Sequence, residues 1–179
     1  YLIANLYLLD IENHMPIRNE YAGMIMTDNN NFKTLKKDFI NKNNFLVIFN
    51  KNKKEFNLNN RKNKKQKVIR ISKPLNDVIN LYLKFYPTKF YKEKMAPFLL
   101  NSNRFNITEG KRKKSIVLST NGLTKLLTKT IKSITGKQIS STMLRKIAHS
   151  HKYPNLKKDL QNAKEDAEKM GHSVKTALK

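Results

Sequence analysis

The sequence predicts an α+β fold that is mainly α, with a small three-stranded antiparallel sheet on one edge. Three observations carry that expectation. Apolar residues recur at helical spacing along most of the chain. Between residues 44 and 72 the period shortens to strand-like alternation, in three short runs joined by polar, strongly basic connectors. The length, 179 residues, suits one domain with its own core, so residues 1–179 are read as a single domain.

Residues 1–12 (YLIANLYLLDIE) put Leu2, Ile3, Leu6, Leu8 and Leu9 on one wide helical face. That helix must stop before Pro16, because the residue preceding a proline avoids the α region. Tyr21, Ala22, Met24, Ile25 and Met26 then predict a second helix with Arg18 at its start, and residues 28–31 (DNNN) read as a loop. Residues 45–49 (FLVIF), the alternation around Phe56 and Leu58, and Val68, Ile69 and Ile71 predict the three strands, with basic turns at 50–54 and 59–67. Pro74 opens a helix through Leu75, Val78, Ile79, Leu81, Tyr82 and Phe85 that ends before Pro87. Residues 88–114 show no regular period. Ser119 or Asn121 caps a helix carrying Leu123, Leu126, Leu127, Ile131 and Ile134, stopped by Gly136. Residues 140–142 cap the next, with Met143, Leu144, Ile147 and Ala148 on one side. A charged helix over 155–170 stops at Gly171, and 172–179 begins one more.

Composition narrows the partner. Lys+Arg is 37 against 13 Asp+Glu, a formal charge of +24, which points to a polyanion: nucleic acid first, an anionic membrane surface second. A hydrophobic content of 39% with 9 Phe and 7 Tyr excludes a wholly disordered basic tail. The absence of cysteine excludes disulfides, thiolate-bound zinc and a thiol nucleophile. The longest apolar run falls short of the roughly 20 residues that span a bilayer. With no secretion signal visible, the expectation is an intracellular protein, without membrane contact, acting where DNA is present. The acidic residues show no carboxylate metal-site spacing, and neither a metal nor a cofactor is predicted.

Two short stretches carry a family resemblance. Residues 141–151 (STMLRKIAHSH) resemble the second catalytic box of the tyrosine recombinases, or phage integrases, and residues 170–177 (MGHSVKTA) resemble the Gly-His-Ser box ahead of that family's nucleophilic tyrosine. Residues 16–20 (PIRNE) then fall where the family carries its first arginine and an acidic neighbour. Residues 59–71 (NNRKNKKQKVIRI) look like its β-hairpin with the catalytic lysine.

The resemblance implies a helical catalytic domain, without the N-terminal core-binding domain, that cleaves and rejoins DNA through a 3′-phosphotyrosyl intermediate using neither metal nor ATP. Arg18 and Arg145 would clamp the scissile phosphate, His172 would bond a non-bridging oxygen, and Lys62 would protonate the leaving 5′-oxygen. Arg61, Lys64, Lys65, Lys67, Thr142 and Lys146 would hold the flanking DNA, with Lys64 and Lys65 alternatives to Lys62 on the same turn. The chemistry is coherent, since a phosphodiester undergoing displacement spreads negative charge that two guanidinium forks and an imidazole can hold. Thr142 departs from the family, which usually has histidine three residues before the second arginine. The tyrosine is expected eight or nine residues after His172, at position 180 or 181, past the last residue given. Double-stranded DNA is the implied partner, with a dimer or tetramer assembled on it, and heavy Lys and Asn usage suggests a virus or mobile element with an AT-rich genome. Telomere resolvases and type IB topoisomerases share this chemistry. The alternative is a non-catalytic basic DNA- or RNA-binding module that merely holds phosphate with Arg18 and Arg145.

Overall fold

The computed structural model describes residues 1–9, 16–60, 66–87, 94–101 and 116–169. Among these the elements run α1 (Leu2–Leu8), β1 (Ile25–Asp28), α2 (Asn29–Thr34), α3 (Lys37–Lys42), β2 (Asn44–Ile48), β3 (Lys54–Leu58), β4 (Lys67–Arg70), α4 (Lys73–Lys84), β5 (Met95–Pro97), α5 (Thr120–Thr135), α6 (Ser141–Lys152) and α7 (Leu156–Lys169).

The expected meander is present as β2, β3 and β4, each antiparallel to the next. It is not the whole sheet. The strands lie in the order β4-β3-β2-β1-β5, with β1 parallel to β2 and β5 antiparallel to β1. The chain is therefore a mixed α/β fold around a five-stranded mixed sheet, and the expectation of a mainly helical α+β domain with a three-stranded antiparallel edge sheet is overturned.

The correction has a physical cause at β1. The helix expected after Arg18 does not form: residues 19–23 turn, Gly23 takes φ +69°, and the chain leaves it extended. Met26 and Thr27 are both buried although they point to opposite faces, because β1 lies inside the sheet. Such a strand reads as a continuous apolar run, which periodicity cannot separate from a short buried helix. The three-residue β5 lies inside the stretch read as irregular. Its position is fixed from α4 and the turn after it: the Tyr82 hydroxyl of α4 donates to the carbonyl of Phe98, just past β5, at 2.8 Å, and the Tyr86 hydroxyl donates to the Pro97 carbonyl. The supposed loop at 28–31 is instead the start of α2, whose cap Asp28 accepts the Asn31 N–H at 2.9 Å.

Register shows where the core lies. Ile69, Phe56, Leu46, Met26 and Ala96 are successive partners across all five strands, so their side chains share one face. All five are buried, and together with Ile3, Leu6 and Tyr7 of α1, Leu75 and Ile79 of α4, Leu123, Leu127 and Ile131 of α5 and Leu144 of α6 they form one cluster. On the opposite face Phe45 is covered by Phe32 and Phe39, whose rings meet it edge-on at 5.2 and 6.0 Å. The helices α4 to α7 follow the sequence reading closely. Ser119 and Ser140 cap α5 and α6 by accepting the Gly122 and Met143 N–H groups, and Gly136 ends α5 at φ +73°.

Candidate functional site

Residues 16–21 cross the end of the core between α1, α5 and β2. Pro16 and Ile17 are buried, which anchors the segment, while the Arg18 side chain is exposed. Residues 18 to 21 are each tied to the rest of the fold. The Tyr7 hydroxyl donates to the Arg18 carbonyl at 2.8 Å and approaches the Asn19 side-chain oxygen at 3.4 Å. Asn19 Nδ2 donates to Thr124 Oγ1 of α5 at 3.1 Å. Asn44 Nδ2, at the start of β2, donates to the Glu20 carbonyl at 3.2 Å. The Tyr21 hydroxyl donates to the Leu6 carbonyl at 2.9 Å. Arg18 is thus displayed from a braced loop.

Arg145 approaches from α6. Ser141, Leu144 and Ala148 turn that helix inward, so the neighbouring Arg145 is half-buried. Its Nε is shielded from solvent and has no hydrogen-bond partner among the described residues, while Nη2 makes a long contact, 3.4 Å, with Thr142 Oγ1. A guanidinium held this way keeps donors in reserve for an anion. Tyr7 reports on both sides of the site. Burial pushes its hydroxyl well above the ordinary tyrosine range, the Glu20 carboxylate pushes it further, and the positive charge of Arg145 opposes the rise. The same phenol therefore bonds the Arg18 main chain and lies in the field of Arg145.

Asn44 joins a third piece. Its Oδ1 accepts the Asn60 N–H at 2.9 Å, and Asn60 Nδ2 donates to the Lys42 carbonyl at 2.9 Å. The base of the β3–β4 turn is so fastened to the residue that holds the Glu20 carbonyl. Across the turn, Gln66 Nε2 donates to Asn41 Oδ1 at 2.9 Å, and the exposed Lys67 begins the edge strand opposite Leu58. Arg61, Lys62, Lys64 and Lys65 on that turn, and His172 near the end of the chain, lie outside the described residues. Thr142 and Lys146 are exposed on α6, Thr142 on the same side of the helix as Arg145.

Tyr7, Asn44 and Thr124 were not singled out by the sequence. Tyr7 stands in the apolar stripe of a helix and reads as core, and Asn44 reads as the polar edge of a strand. Only the loop motif, PIRNE between two apolar segments, pointed to this place. A cleft of about 400 Å³ beside Gly23, at the start of α5, is lined by Ala22, Asn101 and residues 117–120, with no charged side chain among its described lining residues. No described helix is long and apolar enough to cross a membrane. No family model, curated protein or solved structure matches this chain.

Proposed function

We propose that this chain cleaves and rejoins DNA strands in the manner of a tyrosine recombinase, with Arg18 and Arg145 clamping the scissile phosphate. The observation that supports it most is the Tyr7 junction, where one buried hydroxyl bonds the Arg18 carbonyl and lies in the field of Arg145. Arg18, through its main chain, and Arg145, through its charge, are thereby both linked to Tyr7, and the base of the lysine-bearing turn is braced to the Arg18 loop through Asn44. The excess of cations supplies the attraction to DNA. In the proposed reaction a tyrosyl oxygen attacks phosphorus, the P–O5′ bond breaks and Lys62 delivers a proton to the leaving oxygen. Attack by a 5′-hydroxyl then reverses the step on a new strand, which conserves the bond energy. His172 would hold a non-bridging oxygen, and the enzyme would work intracellularly as a dimer or tetramer on duplex DNA.

The rejoining half can be tested without a tyrosine nucleophile. A nicked duplex pool with randomised flanks carries a 3′-p-nitrophenyl phosphate facing a 5′-hydroxyl. The hydroxyl oxygen forms the new P–O bond, the bond to nitrophenol breaks with its electron pair, and the hydroxyl proton passes to solvent. The expected result is nitrophenolate release and a sealed strand with the 179-residue chain. Arg145→Ala should slow release at least ~100-fold while DNA affinity changes by no more than about twofold, one cation among many. Tight DNA binding with no release, or release indifferent to Arg145→Ala, would replace this reading with the non-catalytic binding module.

A further inference from the structure

We infer that Tyr7, backed by the Asn19–Thr124 bond, is a positioning residue that sets the reach of the Arg18 guanidinium toward a bound phosphodiester. The inference rests on the clamp proposed above and goes further, because it assigns a part to a residue of α1 that touches no DNA. Arg18 has an exposed, flexible side chain, so its aim depends on how firmly its main chain is held. Two hydrogen bonds do the holding. The Tyr7 hydroxyl donates to the Arg18 carbonyl, and the next side chain, Asn19, is fastened to Thr124 of α5.

Tyr7 is itself fixed. It is 2% exposed, and its ring meets Tyr21 edge-on at 5.4 Å. Burial and the Glu20 charge both resist its ionisation, so the hydroxyl stays a proton donor to the carbonyl through neutral and alkaline pH. The ring alone would serve packing; the hydroxyl is what reaches residue 18. Without it the Arg18 carbonyl loses its anchor while the shape of the core is kept. A displacement of about 1 Å at a reacting centre can cost up to ~100-fold in rate, whereas affinity spread over many cations barely feels it.

The experiment measures nitrophenolate release from the nicked duplex at saturating protein, together with DNA affinity and melting temperature. Its variants are Tyr7→Phe, Thr124→Val, Arg18→Ala and the double variant Tyr7→Phe/Arg18→Ala. Tyr82→Phe is the control, because it removes another tyrosine hydroxyl that donates to a backbone carbonyl at the same 2.8 Å, but against β5. Tyr7→Phe is expected to slow release about tenfold with affinity changed less than about twofold. Thr124→Val, at a half-buried site, should act in the same direction, and Tyr82→Phe should leave release unchanged. In the Arg18→Ala background Tyr7→Phe should add nothing, because it acts only through Arg18. A full additive loss in that background, or equal loss from Tyr82→Phe, would reduce Tyr7 to general stability and overturn the inference while leaving the clamp standing. Release indifferent to Arg18→Ala would instead remove Arg18 from the clamp itself. A second readout is the NMR signal of Arg18 Nε–H during titration with duplex DNA. It should shift in the unaltered chain and lose that shift in Tyr7→Phe; an identical shift in both overturns the inference whether or not release occurs.

Discussion

At the scale of single residues, Lys54 shows how a basic run can hide a structural cation. It lies in a connector, residues 50–54, that reads as a solvated basic turn, yet it is 2% exposed. Alternation along β3 explains this, since residues 54, 56 and 58 share the buried face. There Nζ donates to the Lys51 carbonyl at 2.8 Å and to the side-chain oxygens of Asn76 and Asn80 at 2.7 and 2.6 Å, tying the β2–β3 turn to α4. Lys54→Met keeps most of the volume and removes the charged donor from the Asn76 and Asn80 side-chain oxygens, while the Lys51 carbonyl keeps the Nδ2 donors of both asparagines at 3.0 and 2.9 Å, so it should cost about 2–4 kcal/mol in urea unfolding. The pH dependence has a definite sign. Burial lowers the Lys54 pKa from 10.5, against the smaller opposing effect of Asp77. The unfolded chain therefore holds this proton over a range where the folded chain has begun to lose it, and stability rises with pH through that range up to 10.5. Relative to Lys54→Met, the unaltered protein should gain stability on titration toward 10.5, and a flat difference would show that the buried ammonium keeps its ordinary pKa. The candidate site was legible at this scale only where a residue belongs to a motif. Arg18 and Arg145 stand in short recognisable strings, whereas Tyr7 and Asn44 act through bonds to carbonyl groups distant in sequence, which no local pattern records.

At the scale of elements, legibility followed the strength of local signals. The helices α5 and α6 carry a serine cap and an apolar stripe, and α5 has a glycine stop besides; each fixes a boundary without help from the rest of the chain. The strand β1 carries none of these, and its conformation is decided by β2 and β5 on either side. The outer face of α5 bears on the proposed binding of DNA. Leu123, Leu127 and Ile131 face the core, and Lys125, Lys129 and Lys132 stand on the opposite side, all exposed. From residue 110 to 158 the sequence contains no Asp or Glu, so no acidic residue of α5 or α6 can neutralise this stripe. It begins beside Thr124, the residue that braces Asn19. A DNA backbone passing the Arg18 loop would run along it. Changing Lys125, Lys129 and Lys132 together to Ala should lower the slope of log affinity against log salt by up to about 3, at roughly 0.9 for each phosphate no longer neutralised. The same number of charges removed from Lys33, Lys36 and Lys37 should lower it by less than about 1. Equal slopes for the two triple variants would mean that α5 is an ordinary solvated face.

At the scale of the whole molecule, charge sets two responses to salt that run in opposite directions. Even if every one of the 13 acidic residues were paired, 24 cations would remain uncompensated. The ion pairs formed by Arg70 with Glu55, at 3.9 Å, and by Lys73 with Asp77, at 2.9 Å, use basic side chains that are largely exposed, so they offset little of that repulsion. Self-repulsion on this scale favours the expanded, unfolded chain, in which the charges lie further apart. Raising sodium chloride from about 10 mM to about 150 mM shortens the screening length from roughly 30 Å to roughly 8 Å, and should relieve it. The free protein is therefore expected to melt at a higher temperature as salt is added, while its affinity for duplex DNA falls steeply over the same range through the loss of counterion release. On the proposed reading, added duplex at low salt should raise the melting temperature more than salt alone does, because the polyanion neutralises the cations and binds their folded arrangement more tightly than the unfolded chain. Differential scanning calorimetry across the salt series, with and without DNA, measures both effects in one set of samples. A melting temperature indifferent to salt in the free protein would show that the cations are spaced too widely to repel. Without repulsion to relieve, the stabilisation by DNA would have to come from specific contacts at Arg18, Arg145 and α5 alone.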